Sequence, residues 1–90
     1  MPHPRFSGEE IIQKGEALYE AKVRVLVETP ENIGKIVSID IETENYVVDV
    51  DLVIAGLAIQ EKHPDAAIYG KRIGYNAVFS IGGTLVRTAP

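Results

Sequence analysis

The chain contains no cysteine, few aromatic residues (7%) and no long apolar run. Without cysteine there is no disulfide framework, no thiolate metal site and no cysteine nucleophile. The same absence fits a reducing compartment. No apolar stretch approaches the ~18 residues of a membrane span. The opening Met1-Pro2-His3-Pro4-Arg5 is not followed by the apolar core of a secretory leader. A soluble, cytoplasmic protein with no membrane partner is therefore expected. Basic residues are the scarcer charge: nine Lys and Arg stand against thirteen Asp and Glu, for a net charge of −4. Nucleic-acid binding draws its affinity from clustered cations that neutralise phosphates, and this scattered minority argues against it.

What is present suits a small ordered domain. Ninety residues, 46% hydrophobic and 24% charged, make one domain with a modest core rather than a disordered chain. Residues 1–6 hold two prolines and read as a flexible arm. Residues 7–84 read as the domain, and 85–90 as a tail. Ser7-Gly8-Glu9-Glu10 is a capping box that opens a helix. Ile11, Gly15, Leu18 and Lys22 line one face of it, with Ile12, Tyr19 and Val23 beside them. Gly15 weakens a helix by roughly 1 kcal/mol relative to alanine, so a closely packed neighbour is expected there. The run Val23 to Val27 is rich in β-branched residues and leaves the helix end open, and Thr29 to Gly34 reads as a loop.

Two alternating segments follow, Lys35 to Glu42 and Tyr46 to Val50. Burial demands that Val37, Ile39 and Ile41 share a face with Tyr46, Val48 and Val50, so the loop between them must be even. A four-residue loop spanning Thr43 to Tyr46 is preferred over a two-residue Glu44-Asn45 turn, because Glu44 tolerates positive φ poorly. Asp51 caps a second helix from Leu52 to about Lys62, which His63-Pro64 ends. Strands from Ala67 to Ile73 and from Ala77 to Ile81 flank a turn at Gly74-Tyr75-Asn76. The expected fold is α+β, in the order α-β-β-α-β-β, with a mixed four-stranded sheet and both helices on one face.

The candidate chemistry is sparse. The expected register sets Asp40 opposite Asp49 on an outer face, with Glu42 and Asp51 nearby. Such a carboxylate stripe suits a hard divalent cation or a basic partner, or is simply a solvated face. A convex sheet offers no cleft to split two carboxyl pKa values, so a general acid–base pair is not expected. His63 reads as a helix terminator, and His3 lies in the arm. No serine has a histidine at a suggestive position. Tyr69-Gly70-Lys71-Arg72-Ile73-Gly74-Tyr75 interleaves aromatic, basic and glycine residues on a hairpin, a composition favoured at interfaces.

The segments Gly15-Glu16-Ala17-Leu18-Tyr19-Glu20, Glu31-Asn32-Ile33-Gly34-Lys35-Ile36-Val37-Ser38-Ile39-Asp40, Glu42-Thr43-Glu44-Asn45-Tyr46 and His63-Pro64-Asp65-Ala66-Ala67-Ile68-Tyr69-Gly70 carry a resemblance. Over roughly residues 11–83 the chain resembles small bacterial, mainly cyanobacterial, α+β proteins of unknown function. The resemblance implies a soluble accessory protein with a co-encoded partner, antitoxin-like or protease-associated. It brings no site residues with it, and the chain departs from it in placing Glu44 where glycine is expected. The resulting expectation is a non-enzymatic module that binds a protein partner or itself, without a cofactor. Asp40, Glu42, Asp49, Tyr69, Lys71, Arg72 and Tyr75 are its candidate contacts. The alternative is a divalent-metal-binding protein or metal-dependent enzyme built on the acidic hairpin.

Overall fold

A computed structural model describes residues 5–76 and 78–81, the Ile81 side chain apart. The order is α1 (Gly8–Leu18), a π-helical segment (Tyr19–Val23), α2 (Arg24–Val27), β1 (Ile36–Asp40), β2 (Tyr46–Asp49), α3 (Leu52–Lys62), β3 (Ile68–Arg72) and β4 (Val78–Ile81). The capping box forms as the sequence predicts. The Glu10 amide donates to Ser7 Oγ at 3.1 Å, and the Ser7 amide donates to Glu10 Oε1 at 2.9 Å. Asp51 caps α3 by accepting from the amides of Val53 and Ile54. Residues 1–4 of the expected arm and the tail at 85–90 lie outside the described residues. Arg5 and Phe6 are anchored, Arg5 to Glu42 and Phe6 against the core.

The first helix is continuous from α1 through α2, and its buried residues explain the π-helical segment. Ile11, Gly15, Tyr19, Val23 and Val27 are all buried, one every fourth position. At 3.6 residues per turn, each four-residue step drifts about 40° around an α-helix. A straight α-helix would carry Val23 and Val27 off the sheet. The wider turn, closed by the Arg24 amide on the Tyr19 carbonyl, restores the stripe to the core. The helix therefore runs through the β-branched segment to Val27.

The four strands lie in the order β2-β1-β3-β4. Class, element order and the four-stranded sheet are as the sequence predicts, and two details differ. The sheet is antiparallel at every pairing rather than mixed. Strands β2 and β3 do run parallel, but β1 lies between them, so α3 crosses over a strand rather than joining neighbours. The helices also lie against opposite faces. Val37, Ile39 and Tyr69 pack with Ile11, Tyr19 and Val23 of the first helix, whereas Val47 and Ile68 pack with Ile59 of α3. Because side chains alternate along a strand, two consecutive buried residues such as Ile68 and Tyr69 require cover on both sides. All of β1 is buried for the same reason.

The β1–β2 register is also corrected. Val37 faces Val48 and Ile39 faces Tyr46, so the predicted face-sharing is correct, but the strands are offset by four residues. The loop is four residues, Ile41 to Glu44, closed by the Asp40 amide on the Asn45 carbonyl at 2.8 Å. Asp49 consequently faces Ile36, not Asp40. Glu44 adopts φ 67°, the left-handed conformation that the sequence reading sought to avoid.

Candidate functional site

Asp40 does not lie on an outer face. It is 0% exposed, at the end of β1 beneath the C-terminus of α3. Its Oδ1 accepts from the Glu42 amide at 2.9 Å and the Thr43 amide at 3.3 Å, which fixes the loop. Its Oδ2 lies 2.7 Å from His63 Nδ1. Burial raises the Asp40 carboxyl, but the His63 and loop hydrogen bonds outweigh it and hold the group below its ordinary value. An ionised carboxylate only accepts, so Nδ1 carries the proton in this pair. His63 ends α3, as the sequence predicts, and also ties it to the β1–β2 loop, a role that sequence reasoning missed because it needs the strand order. Asp40, Glu42 and His63 place potential ligand atoms within 4.8 Å of one another. Each is already engaged, Glu42 by Arg5 at 2.6 Å. Ser38 is fully buried on the Asp40 face, and its hydroxyl has no hydrogen-bond partner.

The seven sequence-predicted contacts separate into different places. Asp40 and Glu42 stand at the α3 end. Asp49 lies on β2, where its Oδ1 accepts from the Asp51 amide at 3.0 Å. Tyr69, Lys71 and Tyr75 border recesses between the first helix and the β3–β4 hairpin. Tyr69 is 0% exposed and offers no surface to a macromolecule. Arg72, the next residue after Lys71, projects to the other side and donates to the Gly34 carbonyl at 2.9 Å.

Sequence reasoning did not identify β2 as an edge strand. In an antiparallel pair, hydrogen-bonded and non-bonded residue pairs alternate. The bonded pair Asp40–Asn45 therefore makes Ser38–Val47 and Ile36–Asp49 the other bonded pairs. Tyr46 and Val48 are left with their amides and carbonyls directed away from the sheet. Among the described residues no strand pairs with that edge. Tyr46 on the strand and Val50 just after it are exposed apolar side chains, Val50 at 76%. Among the described residues, no helix is long and apolar enough to cross a membrane. No protein-family model, curated protein or solved structure matches the chain.

Proposed function

We propose that the protein is a protein–protein interaction module that associates by adding a strand to β2, its simplest partner being a second copy. The observation that carries this reading is the open β2 edge, with Tyr46 on it and Val50 just after it exposed. Edge strands are ordinarily blunted by lysine, proline or a covering element. The strand Tyr46-Val47-Val48-Asp49 has neither residue. An antiparallel pairing centred on Val48 uses the outward backbone groups of Tyr46, Val48 and Val50. It brings Tyr46 of each copy against Val50 of the other and sets Asp49 opposite Val47, so the two aspartates avoid each other. A cytoplasmic accessory role beside a co-encoded protein, which the resemblance implies, uses the same edge with a foreign strand.

The test is sedimentation equilibrium across micromolar concentrations, together with affinity capture from the source cells. Concentration-dependent dimerisation, or one stoichiometric co-purifying protein, is expected. Val48→Pro removes an outward amide without breaking the β1 ladder, and should abolish association while the circular dichroism stays native. Val50→Lys on the rim should weaken association. A monomer that captures nothing, or association indifferent to both variants, overturns the reading.

The rival is cation binding by Asp40, Glu42 and His63, favoured by their mutual proximity. A cation there must displace Arg5 from Glu42 and the proton from Nδ1. A saturable rise in thermal stability with Zn²⁺ or Mn²⁺, lost in His63→Ala, would establish it.

A further inference from the structure

Tyr69 presents an anomaly on the sheet face opposite Asp40 and His63. Its ring lies across Gly15, where a Cβ would come within 2.0 Å of Tyr69 Cγ. Only glycine at that position lets the ring pass. The hydroxyl that this packing delivers is buried and has no hydrogen-bond partner. Buried hydroxyls are ordinarily paired, and an orphan one calls for a missing partner. Tyr69 is one of the residues that line a recess of about 220 Å³, with Glu16, Tyr19, Glu20, Lys71 and Asn76. That is several times the ~30 Å³ share of one water and below the ~300 Å³ where pockets for drug-sized ligands begin. The π-helical segment Tyr19–Val23 forms part of the wall, and such segments recur at functional sites.

The charges around the recess are unevenly committed. Arg24 is consumed by Glu20 at 2.9 Å and by Glu28 at 3.1 Å. Glu28 also accepts from the Tyr19 hydroxyl at 2.5 Å. Lys71 donates to the neutral Tyr75 carbonyl at 2.7 Å and sits 5.3 Å from the Tyr19 ring centre. Among the described residues Lys71 is in no ion pair, and the Glu16 side chain has neither a hydrogen bond nor an ion pair. Among the described residues the recess therefore holds one carboxylate and one ammonium outside any ion pair and an unpartnered phenol, with aromatic walls. We infer that it binds a small zwitterion, a free α-amino acid, with the ammonium group on Glu16 and the Tyr69 hydroxyl and the carboxylate on Lys71. Opposite charges on one small molecule match this set, whereas a simple anion or cation engages only one of the two.

The test is thermal unfolding and isothermal titration of the full chain against each of the twenty free amino acids at millimolar concentration. N-acetyl amino acid amides, methylamine and acetate serve as controls. At least one free amino acid should stabilise the protein saturably, and the controls should not. Tyr69→Phe keeps the ring and deletes the orphan hydroxyl. It should leave the free protein as stable or raise its Tm, yet weaken binding by about tenfold to a hundredfold, the worth of a hydrogen bond to a charged group. Glu16→Gln and Lys71→Gln should each weaken binding with the fold intact. The inference is overturned if no free amino acid binds, if the acetylated amides bind equally well, or if Tyr69→Phe binds as the parent does. A fall in the Tm of free Tyr69→Phe with no amino-acid binding would mean that the recess holds only water, and overturns it too. None of these outcomes depends on the β2 edge.

Discussion

Replacing Asp40 with alanine leaves two loop amides and the Nδ1 proton of His63 without their part-buried acceptor. Losing one side of such a buried, charge-assisted network costs about 3 kcal/mol or more. An asparagine in its place would still accept from the amides of Glu42 and Thr43 and meet His63 with a neutral amide. Asp40→Asn should therefore cost only about 1 kcal/mol, and the contrast between the two variants in urea unfolding isolates the network from the loop. Glu44 presents the opposite case. Its φ of 67° costs a side-chain-bearing residue about 1 kcal/mol or more. Its 2.6 Å pair with Lys22 is between two exposed side chains and offsets less than that. Glu44→Gly should raise stability by about 0.5–1 kcal/mol, and a lower urea midpoint would contradict the strain argument. The sequence shows that Glu44 is an awkward turn residue. It does not show that the turn keeps it nonetheless, because the loop length is fixed by Asp40, which folds the chain back through two amides.

At the scale of elements, the first helix is held to the sheet by a contact that admits no side chain. Alanine in place of Gly15 would gain about 1 kcal/mol of helix propensity. Its Cβ, however, would lie 2.3 Å from Tyr69 Cβ and 2.0 Å from Tyr69 Cγ, atoms at the root of the side chain that cannot swing away. Overpacking of this kind costs about 1–3 kcal/mol or more, so Gly15→Ala should lower stability despite the better helix former. A rise would mean that helix and sheet separate cheaply. The glycine was legible in sequence as a point of close approach, and so were the caps, the hairpins and the face shared by Val37, Ile39, Tyr46 and Val48. The strand offset and the second covered face were not. An offset of four residues preserves every inward and outward side chain, so alternation cannot detect it. Strand order is likewise silent in a pattern of alternation. The misplacement of Asp40 and the assignment of both helices to one face were a single error, since a carboxylate beneath α3 is buried only if α3 lies on the Ser38–Asp40 side. The β2 edge and the Asp40–His63 tie both required that order. The His63-Pro64 step after a crossover helix was the available signal.

For the molecule as a whole, these contacts fix how stability depends on pH. Asp40, Glu10, Glu28 and Glu31 all lie below their ordinary values in the fold: Asp40 through His63 and its loop amides against burial, Glu10 through Ser7, Glu28 through Tyr19, and Glu31 through Thr29. A carboxyl depressed in the fold contributes stability above its unfolded value, and that contribution is lost as pH falls through the folded one. The acid limb therefore begins near the ordinary values of 3.8 for Asp40 and 4.5 for the glutamates and deepens below them. Tyr19 and Tyr69 act at the other end. Burial raises both phenols, aided at Tyr19 by its hydrogen bond to Glu28 and at Tyr69 by the nearby charges of Glu16 and Glu20. Their contribution is complete below the ordinary value of 10.0 and declines above it, because only the unfolded chain releases those protons readily. Urea unfolding from pH 2 to 11 should show a plateau of stability between about pH 5 and 9 with a fall on each side. Asp40→Asn should flatten the acid limb and leave the alkaline limb alone, and Tyr69→Phe should do the reverse. If both limbs survive in both variants, stability at the extremes is governed by net charge rather than by these buried groups, since a chain of −4 gains positive charge on one side and negative charge on the other whichever single residue is removed.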